Sequence, residues 1–226
     1  MKKIKTTVLS GALLLSALGL CTSLATAQDQ AAGSVDYDAL AQKMVDEGFH
    51  DKGIVKVAEV FAPDETLAAC DAADVTGHPM DPELAKRLEA AEMQTIQWPA
   101  DGNYLGGDWK EGERIAQSGR GKTWKDTADA PNGGNCYNCH RIGPDELSYG
   151  TIGPSLYNYN KTHGISDPKD PASAEMVKYT WGKIWNSKAY NVCSNMPRAG
   201  TKGILTEDQV RDIMALLLDP TSPVNQ

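Results

Sequence analysis

The pentapeptide Cys136-Tyr137-Asn138-Cys139-His140 constrains this chain more than any other feature. C-x-x-C-H is the attachment signature of a c-type haem. Two thiols at this spacing add across the two vinyl groups of one porphyrin, and the adjacent histidine comes to lie under the ring as an iron ligand. The rival readings fit the sequence less well. A zinc site would need two further ligands, usually from a second closely spaced pair, and the sequence has no such pair. A dithiol redox pair has no use for the histidine. The residues therefore point to one covalently attached haem c, with Cys136 and Cys139 as thioether links and His140 as an iron ligand.

The ligand on the other face of the iron decides what such a centre can do. Met196 stands in Asn191-Val-Cys-Ser-Asn-Met-Pro-Arg-Ala-Gly200, ahead of the last apolar segment. Pro197 restricts Met196 to extended backbone, which suits a side chain pointed inward from a loop. A thioether ligand raises the potential, as in Met/His cytochromes c. His163, in Asn160-Lys-Thr-His-Gly164, is the rival and would give a bis-histidine iron. Its polar surroundings favour Met196 in the comparison. An imidazole bound through Nε2 keeps an Nδ1–H in need of an acceptor. The Gly150-Thr-Ile-Gly-Pro-Ser-Leu156 stretch offers the Pro154 carbonyl for that purpose and Leu156 to pack on the ring. The same residues also read as a plain Gly-Pro turn.

The amino terminus reads as an address. Lys2, Lys3 and Lys5 precede an apolar run from Val8 to Leu20, and Ala25-Thr26-Ala27 comes after it. A basic head, about 13 apolar residues and a small-x-small end describe a cleaved signal peptide, residues 1–27. A membrane span would need roughly 20 apolar residues. Cys21 raises a lipoprotein reading, but Leu20 stands where a lipobox takes Gly, Ala or Ser. The expectation is an exported, soluble, periplasmic protein in surroundings that permit disulfides. Outside the signal and the haem motif, Cys70 and Cys193 remain, and two leftover cysteines in an exported chain most often pair.

Charge divides the mature chain in two. Residues 28–105 hold 16 acids and 5 bases, a net of −11, whereas residues 106–226 hold 14 of each. The asymmetry, with the turn-rich Trp98-Pro-Ala-Asp-Gly-Asn103, places a boundary near 100–106 between an acidic extension and a second domain. A formal charge of −8 overall argues against a grip on nucleic acid. Residues 140–202 run the other way, with 8 bases against 5 acids, a surplus that could steer an acidic partner. No nucleotide-binding glycine loop and no G-x-S-x-G elbow occurs.

The coarse reading is all-α. Helices are expected over Asp36 to Glu47, Pro82 to Thr95 behind an Asp81 cap, Asp108 to Gln117, and Ala172 to Lys188 with Trp181 and Trp185 on one face. A last helix opens at Thr206, with Gln209 in the capping-box position. Gly53 to Phe61 reads equally as a strand or as a buried helical turn.

The second domain resembles class I cytochromes c, on Gly107-Asp-Trp-Lys-Glu-Gly112, Asn135-Cys-Tyr-Asn-Cys-His140, Gly153-Pro-Ser-Leu156 and Met196-Pro197. Within that class, Gly150 to Tyr159, Trp181-Gly-Lys-Ile-Trp-Asn-Ser187, Asn195-Met-Pro-Arg198 and the Leu218 to Val224 ending resemble the SoxX family, the monohaem subunits of the SoxAX thiosulfate-oxidising complex. The likeness covers about residues 105–226. It implies a cytochrome c core in which the helix near 108–117 crosses the last helix over the haem. It also implies an electron-transfer subunit of an L-cysteine S-thiosulfotransferase, in which a SoxA-type haem subunit joins thiosulfate to a cysteine of the SoxYZ carrier. This chain would accept the electrons and pass them to another cytochrome c, with Cys136 and Cys139 as haem links and His140 and Met196 as iron ligands. No substrate-converting residue is implied on this chain. A freestanding electron-shuttle cytochrome is the alternative.

Overall fold

The computed structural model describes residues 35–226. The signal segment 1–27, including Cys21, lies outside the described residues. The described residues divide into two units, 35–47 and Gly48–Gln226. The charge boundary near 100–106 falls inside the second unit, so it marks a change of composition within one packing unit.

The protein is all-α. Among the described residues eight α-helices occur, with 3-10 turns between them, and the one β feature is an isolated bridge between Lys52 and Val55. None of these helices is long and apolar enough to cross a membrane. Helix α1 (Tyr37–Gly48) forms where the apolar spacing predicted it, but it buries no residue, and Met44 is exposed. The ambiguous 53–61 stretch resolves into a tight turn at Gly53 and then the short α2 (Val57–Phe61).

Helix α3 (Glu65–Thr76) has no counterpart among the expected helices. Its apolar positions show little one-sidedness, so periodicity gave no signal. Its punctuation was nonetheless legible: Asp64 accepts from the Leu67 amide at the N-cap, and Gly77 closes the helix in the left-handed conformation. Helix α4 (Pro82–Met93) starts as expected, with the Asp81 carboxylate accepting from the Glu83 and Leu84 amides. Helix α6 (Tyr159–Thr162) is a single turn. Helix α7 (Ala174–Trp185) is shorter than the 172–188 expectation because its ends tighten into 3-10 turns at Pro171–Ser173 and Ser187–Ala189.

The centre of the second unit is the crossing of α5 (Trp109–Gln117) and α8 (Glu207–Leu218). Asp108 caps α5. The expected capping box opens α8, with Thr206 and Gln209 satisfying each other's backbone amides. A Cβ on Gly112 would lie 2.2 Å from the Asp212 carbonyl oxygen, so the two backbones touch and only glycine fits. On the inner face of α8, Val210, Ile213, Met214 and Leu217 are buried, as their spacing predicted. They join Ile115, Tyr137, Trp181 and Trp185 in one core, with Met93 and Trp98 from the acidic segment packed against it. Trp181 and Trp185 stack at 5.7 Å.

Candidate haem-attachment site

Three backbone hydrogen bonds fix the local shape of the attachment loop. The amides of Gly150, Gly153 and Leu156 donate to the carbonyls of Tyr137, Cys139 and Arg141, each at 2.8 Å. The 150–156 segment therefore runs alongside the C-x-x-C-H turn. That register carries the Pro154 carbonyl to His140 Nδ1, at 2.7 Å. A carbonyl oxygen can only accept, so Nδ1 carries the proton and Nε2 presents its lone pair. Gly153 lies flat against the imidazole, where a Cβ would meet the ring at 2.2 Å. The histidine is thus fixed in both tautomer and orientation.

Cys136 and Cys139 are both free thiols. Burial pushes the Cys136 thiol up to about 12, so it is protonated at neutral pH. Such a sulfur is a poor nucleophile for disulfide exchange and a poor thiolate donor. Among the described residues no three His, Cys, Asp or Glu side chains converge, whereas a structural zinc takes four such ligands. Between the thiols, the Tyr137 hydroxyl donates to Glu113 at 2.8 Å and accepts from the Gly143 amide, tying the loop to α5.

Met196 lies elsewhere on the same core. It packs against the central cluster together with Cys136 and Leu156, and it lines a cavity of about 1330 Å³. That volume exceeds the roughly 300–1,000 Å³ typical of small-molecule pockets. Apolar walls come from Val55, Phe61, Leu67, Pro197 and Ile204. Cys136, Cys139, His140, Pro154 and Leu156 are not among the residues lining this cavity. His163, the rival ligand, is exposed with its ring 4.3 Å from that of Tyr159.

The Met196 loop is held from several sides. Ser187 Oγ donates to the Met196 carbonyl at 2.5 Å, and the Met196 amide donates to Ser194 Oγ at 3.2 Å. Cys193 is disulfide-bonded to Cys70 of α3. Two residues beyond Met196, the buried Arg198 guanidinium bridges Asp64 and Glu92, and Lys202 reaches Asp64 at 3.2 Å. Burial alone would raise the Asp64 carboxyl. The Leu67 amide, Arg198 and Lys202 outweigh it and hold the group down at about 2. Sequence reading missed this network, because its acids, Asp64 and Glu92, lie more than 100 residues from the Arg198 that joins them. The acidic segment that supplies Val55, Asp64, Cys70 and Glu92 is therefore part of the site.

These residues fit a haem. The thiols are unpaired, the histidine has a committed tautomer, and Met196 faces a large cavity whose walls are of mixed polar and apolar character. In addition, Trp185 Nε1 is buried with no acceptor among the described residues.

No family model matches the chain. An uncharacterized lipoprotein of Aquifex aeolicus (strain VF5) is 40% identical over 135 residues, which make up 58% of this chain and 59% of that protein. The chain thus spans about three-fifths of the length of the relative it matches.

Proposed function

We propose that this chain is a haem c electron-transfer protein, and that it serves as a SoxX-type subunit of a complex that couples thiosulfate to a cysteine of a SoxYZ carrier. The observation that carries the reading is the His140 Nδ1–Pro154 contact at 2.7 Å within the C-x-x-C-H turn, an arrangement that frees Nε2 for a metal. Cys136 and Cys139 would anchor the group covalently, His140 and Met196 would be its iron ligands, and Leu156 would pack beside it. When bound, the haem supplies reversible one-electron exchange. The chain's own part is to hold the side chains that would receive it, His140 through the Pro154 carbonyl and Met196 through Ser187 and Ser194.

The substrate chemistry belongs, in this reading, to a SoxA-type haem partner, with a further cytochrome c as electron acceptor. A freestanding shuttle differs in having no dedicated partner, and co-purification with a second, different haem chain separates the two. The lipoprotein description of the Aquifex aeolicus relative supports a setting outside the cytoplasm, and the small-x-small signal end favours cleavage before Gln28 and a periplasmic protein. The mass of the mature amino terminus distinguishes this from lipidation at Cys21.

The test is the mass and spectrum of protein produced with haem-maturation machinery. Covalent haem adds ~616 Da, and Met ligation gives a weak ferric band at about 700 nm. Met196→Ala is expected to lose that band while keeping the added mass. A bare chain overturns the haem reading.

A further inference from the structure

Glu113 of α5 carries a buried carboxylate oxygen that the attachment chemistry leaves unused. Its Oε1 accepts from the Tyr137 hydroxyl at 2.8 Å and from Gln117 Nε2 at 2.7 Å. Its Oε2 is buried and has no hydrogen-bond partner among the described residues. No ion pair among the described residues includes Glu113, and the adjacent Arg114 is taken by Glu111 at 2.8 Å. Gly143 closes the loop over this contact. Its amide donates to the Tyr137 hydroxyl at 2.9 Å, and a Cβ on it would come within 2.8 Å of the same oxygen.

The carboxylate stands beside the haem anchor, because Tyr137 lies between the two thiols in the chain. Burial, and behind it the Glu113 hydrogen bond and charge, push the Tyr137 hydroxyl up, so it stays protonated and donates. The Glu113 charge also adds to the upward push on the Cys136 thiol, after burial and Cys139. A group bonded to the Cys136 sulfur is therefore within reach of that charge. A staple between α5 and the loop does not need a carboxylate, since the side-chain oxygen of glutamine also accepts two hydrogen bonds. Burying a charge with one oxygen bare is costly, and a neutral amide would lower that cost. A charge kept at such a cost next to a covalent anchor points to an electrostatic role.

We propose that the Glu113 carboxylate lowers the reduction potential of the haem attached at Cys136 and Cys139. The assignment rests on the haem reading and adds which charge of this chain tunes the group. Ferric iron carries one more positive charge than ferrous iron. A fixed negative charge nearby therefore favours the oxidised state, the more so in a low-dielectric interior. The effect opposes that of the Met196 thioether, which raises the potential. It makes the loaded chain a stronger electron donor to its acceptor.

Redox titrations at neutral pH, with mass and spectrum, test this on the haem-loaded protein. Covalent haem and the band at about 700 nm in the unmodified protein come first. Their absence overturns the haem reading and this proposal with it, whereas covalent haem with an unresponsive potential overturns this proposal alone. Glu113→Gln keeps the acceptor for Tyr137 and removes the charge. It is expected to raise the ferrous-to-ferric ratio at fixed ambient potential about tenfold, a shift of ~59 mV, while keeping the added mass and the Met band. Glu113→Asp keeps the charge and shortens the reach, and is expected to stay near the parent potential. Should Glu113→Gln fail to accumulate, Glu113→Asn against Glu113→Asp repeats the comparison at matched length. An unchanged potential in the neutral variant overturns the proposal. So does an equal rise in Glu113→Asp, which would make the change one of packing. A rise that comes with loss of the Met band overturns it as well, because the iron ligation would then be its cause.

Discussion

The imidazole of His140 and the carbonyl of Pro154 are joined at 2.7 Å, and Gly153 lies against the ring with no room for a methyl group. Gly153→Ala forces the ring to turn away from Pro154. Overpacking of this kind costs about 1–3 kcal/mol. The variant is expected to show a lower haem-to-protein absorbance ratio after maturation, with a weakened Met band in whatever haem is loaded. Full loading with an unchanged spectrum would mean that the orientation of His140 does not depend on this contact.

Gly112 marks the touching point of α5 and α8, where a Cβ would lie 2.2 Å from the Asp212 carbonyl and 2.9 Å from Leu216 Cβ. Both obstacles are helix backbone or its first side-chain atom, so neither can swing aside. Gly112→Ala should cost about 1–3 kcal/mol or more, read as a shift of the denaturant midpoint. An unshifted midpoint would show that the crossing is looser than its geometry implies.

Removal of the Cys70–Cys193 disulfide, by Cys70→Ser with Cys193→Ser, opens a loop of sequence separation 123. The expected loss is about 2–5 kcal/mol in chemical denaturation. Cys193 stands three residues before Met196, so the same variant should also weaken the Met band. Stability lost with the band intact would confine the disulfide to a structural role.

Arg198 and Glu92 form a pair with side chains only 7% and 8% exposed. Breaking such a pair from one side leaves an uncompensated buried charge and costs about 3–5 kcal/mol. Arg198→Met should therefore be strongly destabilising. Arg198→Met combined with Glu92→Leu should recover much of the loss, which a double-mutant cycle of melting temperatures measures. No recovery would mean that the guanidinium acts mainly through Asp64.

Asp64 connects acidity to stability. Its folded carboxyl is held at about 2, below the ordinary 3.8. The deprotonated form is the one favoured by folding, so its contribution is fully present above about pH 4 and declines as pH falls through about 2. Melting temperature should drop over that window at low ionic strength. Asp64→Asn should be less stable at neutral pH and show a shallower acid decline. Parallel acid limbs in parent and variant would remove Asp64 from the account.

Much of the architecture was legible without coordinates, for definable reasons. The capping box at Thr206 and the buried stripe from Val210 to Leu217 come from short-range rules, as does the Asp81 cap on α4. The Pro154 carbonyl was identified as the acceptor for His140 because a metal-bound imidazole needs one and the Gly-Pro segment lies close by in sequence. Helix α3 escaped because an alanine-rich helix with little one-sided polarity leaves no periodic trace. The trimming of α7 at both ends reflects tight 3-10 turns that propensity does not locate.

By itself, the sequence determined the chemistry to be expected at Cys136, Cys139 and His140 and the all-helical class, and it made Cys70 and Cys193 candidates for a pair that the structure shows. These are matters of residue type and near spacing, or of counting what is left over. The tertiary structure decided that the acidic segment is a wall of the site. It also brought Asp64, Glu92 and Arg198 into one buried network. Those partners lie up to 134 residues apart, and no local propensity encodes which distant charges meet. That was settled by how the α5–α8 crossing and the disulfide close the chain around its core.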